Sequence, residues 1–309
     1  SRPQIASGGP YEDEFAVIDG NQLELYAGAE GKLPVLVETV ALPFSVDVGT
    51  FGPYVDSRGG WLVLSESLQG AYWSPATREA ITFDLRDDSW LQDNSADLVR
   101  VTAASGFGPP GEIQGEPTNG APGDRFVITT NLGQALELHL EESAPDDPWR
   151  ENPVPVWIEP HYGAAIGRGT GVLSLGWAQE ELLVGTDVGI RSWDLNSSQE
   201  TAFPYGGVTE RIEHIVSSDV PAAVTPSGVT LLTPTRSSPL NDTTVAAATR
   251  YPVESLAPAG NAWVAGRFNG VVMVIDSGDR PFITTSASVQ EISSDGTLLL
   301  SSGTQQQAT

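Results

Sequence analysis

Residues 181–195 read ELLVGTDVGIRSWDL, and this stretch decides the fold class. An apolar run, Leu182-Leu183-Val184, leads into Gly185-Thr186-Asp187-Val188-Gly189; an alternating stretch with Ile190, Ser192 and Trp193 then ends at Asp194. Two short apolar or alternating runs joined by a Gly-containing turn form a β-hairpin, because glycine enters the positive-φ conformations of a tight turn without steric cost.

Working outward, similar hairpins recur along the whole chain. FAVIDGNQLELYAG turns at Asp19-Gly20, WLVLSESLQGAYW (Trp61 to Trp73) has Gly70 near its turn, and RFVITTNLGQALELHL (Arg125 to Leu140) turns at Asn131-Leu132-Gly133. After the deciding stretch come PAAVTPSGVTLLTP, turning at Pro226-Ser227-Gly228, and AWVAGRFNGVVMVID, turning at Asn269-Gly270. The last stretch, SSDGTLLLSSGTQQQAT, holds the start of a seventh hairpin, with Leu298 to Leu300 as its apolar strand and Gly303 near its turn. The marker glycines at 20, 70, 133, 189, 228, 270 and 303 are unevenly spaced, yet each unit contains one strong hairpin.

Weaker strands fill the intervals: Leu33 to Val37, Ala80 to Leu85 and Val245 to Ala247, with shorter apolar segments at Ser45 to Val48, Val172 to Leu175 and Val289 to Ile292. Each unit therefore supplies about four strands, the blade of a β-propeller, and seven blades is the natural count. Two intervals are long for visible reasons. Residues 104–124 are rich in Gly and Pro and are expected to be a loop excursion without a ladder strand, and residues 143–155 form an acidic, Pro-rich connection. Neither has the composition of a second domain, so residues 1–309 are read as a single domain.

Composition bounds what such a domain does. The chain has 309 residues, 33 Gly and 23 Pro with 39% hydrophobic residues, which describes a folded, turn-rich protein. Its 40 acidic residues against 15 basic ones give a net charge of -25, and Lys32 is the one lysine. Such a surface repels phosphate backbones, so neither nucleic acid nor anionic membrane is expected as a partner. Solubility, or adaptation to a salty or extracellular medium, is the plainest account of the acidity. With no cysteine there is no disulfide or thiolate metal site, and cytoplasmic and secreted or periplasmic settings are both compatible. No apolar run approaches the length of a membrane span, and the first residues, SRPQIASGG, have no apolar core for a signal peptide. The chain begins without Met, so a mature form or an excised domain is expected.

The run Ser294-Asp295-Gly296-Thr297-Leu298-Leu299-Leu300-Ser301-Ser302-Gly303 resembles the S-P-D-G-x-x-L-x-S-G/A-S segment of WD40-type repeats, and Trp193-Asp194 resembles the WD dipeptide that ends their third strand. Asp276 and Asp84 resemble the strand-ending aspartates of that family. The Gly-His dipeptides and most Trp-Asp pairs are missing, so the resemblance is to a divergent propeller of WD40 or YVTN-like type, with most of the Asp-His-Ser/Thr-Trp network absent. The resemblance implies seven four-stranded antiparallel blades, the last closed by N- and C-terminal segments, with Pro3 to Ala6 finishing it.

No catalytic signature stands out in the sequence. A glycosidase needs two carboxylates flanking a sugar, and 40 acids discriminate nothing. The Asp boxes of sialidases, G-x-S-x-G, H-E-x-x-H and the P-loop are absent. His139, His161 and His214 lie on different units, and even Glu159-Pro160-His161-Tyr162, the most site-like of these strings, reads as an ordinary loop; no metal or other cofactor is expected. Trp61, Trp73, Trp177, Trp193 and Trp263 are expected to pack between blades, whereas Trp90 and Trp149 lie in polar stretches and read as exposed anchors.

The functional reading is a non-enzymatic scaffold, expected as a monomeric domain, that binds or senses protein or peptide, as the sensor portion of a larger bacterial protein. The alternative is a propeller enzyme of the glycosidase or lyase class with an acidic central funnel. In a propeller the turns between second and third strands gather on one face, so Asp19, Glu66, Asn131, Asp187, Thr225, Arg267 and Phe268 are the expected binding ring. With three acids and one arginine it favours a partner with a basic segment. The net charge also generates a first prediction. Self-repulsion opposes compaction and is screened over about 10 Å at 0.1 M salt, so raising NaCl from low to physiological concentration should raise the melting temperature; a fall would mean that favourable ion pairs dominate.

Overall fold

The computed structural model describes residues 4–7, 14–28, 34–44, 49–56, 59–75, 78–87, 99–110, 124–133, 135–140, 156–160, 171–178, 181–194, 199–200, 208–217, 221–226, 228–233, 236–239, 253–259, 262–267, 271–275, 280–284, 288–292 and 298–301. Within them the chain is all β apart from one 3-10 turn at Leu85–Asp87. Strands β1 (Gln4–Ser7), β2 (Glu14–Asp19), β3 (Gln22–Ala27) and β4 (Val35–Ala41) form the first sheet. The second comprises β5 (Thr50–Val55), β6 (Trp61–Ser65), β7 (Gln69–Ser74) and β8 (Glu79–Asp84). The third comprises β9 (Val101–Pro110), β10 (Asp124–Thr130), β11 (Ala135–Leu140) and β12 (Val156–Pro160).

The fourth sheet comprises β13 (Val172–Ala178), β14 (Glu181–Thr186), β15 (Gly189–Asp194) and β16 (Gln199–Glu200). In the fifth are β17 (His214–Val216), β18 (Ala222–Thr225), β19 (Gly228–Thr233) and β20 (Arg236–Pro239). The sixth holds β21 (Val253–Ala259), β22 (Ala262–Arg267), β23 (Val271–Ile275) and β24 (Arg280–Thr284). A two-stranded sheet of β25 (Ser288–Ile292) and β26 (Leu298–Ser301) comes last. Each four-stranded sheet is an antiparallel meander whose spatial order follows the chain.

Side-chain alternation stacks these sheets on one another. Trp61 and Val63 of β6, with Ala71 and Trp73 of β7, pack against Ala16, Ile18, Leu23, Leu25 and Val40 of the first sheet. The intervening Leu62, Leu64 and Tyr72 point the other way and pack against Phe126, Ile128, Leu136 and Leu138 of the third. The third sheet repeats the device, its Val127 and Ala135 meeting Leu175, Trp177, Leu182, Val184 and Trp193 of the fourth. Leu183 of the fourth then meets Ile215, Ala223 and Leu232 of the fifth. This two-sided burial is why the second strands read as unbroken apolar runs. Each fully buried Leu contributes about 1.5–3 kcal/mol of transfer free energy.

The first strands also touch their counterparts: β1 meets β5, β5 meets β9, β9 meets β13, β13 meets β17, β21 meets β25, and β1 meets β25. First strands therefore lie inside and fourth strands outside, in a propeller-like fold. Trp61, Trp73, Trp177 and Trp193 are buried between sheets as expected; the side chain of Trp263, and Trp90 and Trp149 altogether, lie outside the described residues.

Polar groups bury only where they pair. On the face that the third sheet turns toward the fourth, Arg125 Nε donates to Glu137 Oε1 at 2.7 Å and Nη2 to Oε2 at 3.0 Å, a buried bidentate pair. Removing one partner of such a pair costs about 3–5 kcal/mol because the other is stranded. In the second sheet Asp56 is 2% exposed and accepts from Gly60 N at 2.7 Å and from the Tyr72 hydroxyl at 2.6 Å, which ties the β5–β6 turn to β7.

Several expectations are corrected. Gln4–Ser7 does not finish the last sheet: it pairs with β2 from Gln4↔Ile18 to Ser7↔Phe15, and meets β25 and β26 by packing. The pairing partner a few residues along the chain wins because closing that loop costs far less entropy than reaching across the molecule. Residues 104–110, expected in a loop, belong to β9. The register with β10 shifts at three places, and Gly108 makes room for an aromatic ring of the fourth sheet. A Cβ on Gly108 would lie 2.2 Å from the Trp177 ring, and one on Gly106 would lie 3.5 Å from Tyr54. Trp177 Nε1 donates to Gly106 O at 3.2 Å, joining third and fourth sheets.

Gly70 lies two residues past the second turn, inside β7, where a Cβ would lie 2.2 Å from the Phe83 ring; the turn itself is at Glu66 to Leu68, with Leu68 at φ 70°. Asp84 ends the fourth strand of its sheet, unlike Trp193-Asp194, which ends a third. In the last sheet β25 pairs antiparallel with β26, from Ser288↔Ser301 to Ile292↔Leu298. Gly303, residues 45–48, 245–247, 111–123 and 143–155 fall outside the described residues.

Gly108→Ala should lower stability by about 1–3 kcal/mol, the range for forcing extra volume into a packed site. Gly171→Ala is the control, since a Cβ there meets nothing within 4 Å; equal melting temperatures for the two variants would contradict the close packing of Trp177. Deleting residues 1–8 should likewise lower the melting temperature, because β2 loses its inner partner.

Candidate functional site

The second-to-third turns are built by short-range hydrogen bonds. Asp19 pairs with Gln22 across Gly20-Asn21, and Leu42, just after β4, donates to Asn21 O at 2.8 Å. In the second sheet Leu68 N donates to Ser65 O at 3.1 Å and Gln69 N to Ser65 Oγ at 3.1 Å, which holds Glu66 at the tip. In the third, Gly133 N donates to Thr130 O at 2.9 Å and Leu132 N to Thr130 Oγ1 at 3.3 Å. In the fourth, Thr186 Oγ1 donates to Gly189 O at 2.8 Å and accepts from Val188 N at 3.2 Å. Small hydroxyl residues at the strand end thus satisfy the turn locally.

These turns also receive the chain that begins a sheet. Val101, opening the third sheet, donates to Glu66 O at 3.0 Å on the second, and Ile212, before the fifth, donates to Thr186 O at 2.9 Å on the fourth. Gly189, at φ +128, leaves space for this approach, since a Cβ there would lie 2.4 Å from Val208 O. The incoming segment then bonds to the turn of its own sheet. Asn131 N donates to Arg100 O at 2.9 Å and Arg100 N to Asn131 Oδ1 at 2.8 Å, while Glu213 N donates to Val224 O at 2.8 Å. In these sheets the turns and the starts of first strands form one rim.

Of the seven residues expected in the ring, Asp19, Asn131 and Asp187 are exposed and Glu66 is half-buried. Thr225 is 6% exposed and closes its hairpin opposite Gly228, so its side chain offers little surface. Arg267 ends β22 but its side chain, like Phe268 as a whole, lies outside the described residues.

Sequence reasoning missed the incoming segments. Arg100, Glu210, Arg211 and Glu213 are exposed beside the turns that hold Glu66, Asn131 and Asp187. It also missed Asp84 and Arg86, placed here because Asp84 pairs with Gln69 at the end of β7. Arg86 Nε donates to Asp84 Oδ1 at 2.8 Å and Arg86 Nη2 to Oδ2, and these bonds hold the Asp84 carboxyl below its ordinary range. The signal was available: whatever precedes a first strand must cross the same face as the turns. The rim therefore carries Asp19, Glu66, Asp84, Asp187, Glu210 and Glu213 against Arg86, Arg100 and Arg211, a mixed surface rather than a nearly pure acidic one.

The interior strands differ. QIAS, TFGPYV, VTAASGFGPP, VLSLGWA, HIV, VESLAPA and SVQEI carry only Glu254 and Glu291 as acids. Burial pushes the Tyr54 phenol upward, so it stays neutral at every physiological pH. Among the described residues no three His, Asp or Glu side chains gather in a way that could hold a metal ion, and no helix is long and apolar enough to cross a membrane. The Trp193 Nε1 has no hydrogen-bond partner among the described residues, so the WD40 network is not built at that indole.

Sheet order and rim define the class: an all-β, propeller-like protein. No family model matches the chain, and no curated protein matches it either. Among solved structures it is similar to BamB from Moraxella catarrhalis, a β-propeller, with TM-score 0.46 and 12% identity, over 99% of this chain and 84% of that one. The assignment of class rests on the sheets themselves.

Arg86→Ala should raise the Asp84 pKa toward the ordinary carboxylate value, read by NMR titration of the side-chain carboxyl. A depressed folded-state pKa means that the ion pair stabilises above the unfolded value and fades as pH falls through the folded one; an unchanged Asp84 titration would remove Arg86 as the cause.

Proposed function

We propose that the chain is a single-domain, seven-bladed β-propeller that binds protein or peptide partners through this rim and does not catalyse a reaction. The observation that carries the reading is the rim itself: rigid sheets present turns and crossing segments whose backbones are already hydrogen-bonded and whose exposed Asp19, Asp187, Arg100, Arg211 and Glu213 point charges of both signs outward. A preorganised surface of this kind loses little entropy on binding, and mixed charge sets register and partner choice. Ring closure is supported by the packing of β1 against β25 and β26, which brings the two ends of the series together without exchange of a strand. As a bacterial sensor portion, the domain would report its partner to the protein that carries it, and as a single copy it would be monomeric.

An acidic central funnel, the alternative, draws no support from first strands that carry two carboxylates in all. The partner expected is one with a basic segment that also offers acids to Arg100 and Arg211. With a partner isolated from the host, Asp19→Ala/Asp187→Ala and Arg100→Ala/Arg211→Ala should each weaken binding by about tenfold or more, as loss of charges at an interface can, and Arg267→Ala/Phe268→Ala tests the remaining ring positions. Wild-type affinity in all three variants would remove the rim as the binding face.

A further inference from the structure

The outer edge of the first sheet carries a feature that the rim does not explain. β4 is the outermost strand of that sheet, and its first three residues, Val35, Leu36 and Val37, are 66%, 48% and 47% exposed. Val35 pairs with Ala27 and Leu36 with Tyr26, so these two lie on opposite faces, while the register shift between Leu36 and Glu38 places Val37 in a bulge; exposure of all three leaves apolar surface on both faces of this outer edge.

The outer strands of the other four-stranded sheets are blunted. β12, β20 and β24 contain Pro160, Pro239 and Pro281, β16 has two residues, and β8 is bounded by Glu79 and Asp84. Proline, shortness and charge are the ordinary devices that keep an edge from pairing with another chain. β4 has seven residues and no proline, its one charge, Glu38, lies beyond the apolar triplet, and its bulge at Val37 still leaves Val35 and Leu36 in regular pairing with β3.

Charge says what can sit there. The four strands of the first sheet contain Glu14, Asp19, Glu24 and Glu38 and no Lys or Arg. A second copy of this chain would bring the same acids, and a further net charge of -25, against the edge. We infer that β4 is a docking edge for strand addition by a partner protein, whose extended segment alternates apolar residues with lysine or arginine. Main-chain pairing supplies the affinity and the alternate side chains the selectivity. On one face of that segment the apolar side chains cover Leu36, and on the other the stems of its cations lie along Val35 with their charged ends toward Glu38. This second surface is independent of the rim.

The test uses the full chain and a fluorescent ten-residue peptide of alternating valine and lysine. Its controls are the same peptide N-methylated at alternate residues in each of the two registers, and a valine-glutamate version. Anisotropy titrations at physiological salt should show saturable binding that one N-methylated register weakens at least tenfold and the valine-glutamate peptide lacks. Val35→Lys/Val37→Lys, two exposed changes with the fold checked by circular dichroism, should weaken binding comparably, and Leu36→Pro should do the same if it folds. Asp19→Ala/Asp187→Ala should leave it unchanged, which separates this edge from the rim. No binding, or equal binding by the N-methylated peptides and by Val35→Lys/Val37→Lys, would overturn the inference as mere charge attraction. Sedimentation showing dimers that Val37→Lys dissolves would overturn it in favour of self-association.

Discussion

Two-sided burial of the middle strands is the constraint on which the rest of this molecule depends. β6, β10 and β14 each send alternate side chains to the sheet before and the sheet after, so the second, third and fourth sheets have no wet face. A single sheet of this kind, with Leu62 and Leu64 on one side and Trp61 and Val63 on the other, could not stand alone in water. It is stable because both neighbours exist. The inner position of first strands, the outer position of fourth strands and the gathering of turns at one rim all follow from stacking the same meander repeatedly.

The same stacking explains why a strand that looks unfit for a sheet is found inside one. Gly106 and Gly108 weaken β9 as a strand, since glycine brings no side chain and costs backbone entropy. Gly108 also leaves open the space that the Trp177 ring occupies from the adjacent sheet, and Gly106, at φ +69, takes a conformation that other residues rarely adopt. Where sheets converge toward an interior, the ring of one must fit over the backbone of the next, and the local propensity yields to the packing.

How much was legible follows from this. Hairpins with a turn residue inside an alternating pattern, such as Asp19-Gly20 and Asn131-Leu132-Gly133, were found at their true positions, because the chemistry that makes the turn is written in adjacent residues. Residues 104–110 were misjudged, because the reason they form a strand lies in Trp177, far along the chain. The family pattern points the N-terminal strand to the last sheet, but the nearer partner, β2, takes it. At the rim, Asp19, Asn131 and Asp187 could be read as turn tips, whereas Arg100 and Arg211 could not, because their nearness to those tips arises from how one sheet hands the chain to the next.

That handover has a consequence for how the chain reaches its fold. Val101 bonds to the turn carrying Glu66, and Ile212 to Thr186, so a completed sheet offers a prepared acceptor for the strand that follows it in sequence. Assembly can then proceed by short steps from the N-terminal end, each sheet serving as template for its successor, in the direction in which a ribosome releases it. Only the meeting of β1 with β25 and β26 must wait for nearly the whole chain. The search across long sequence separations that slows most all-β proteins is thereby confined to one event.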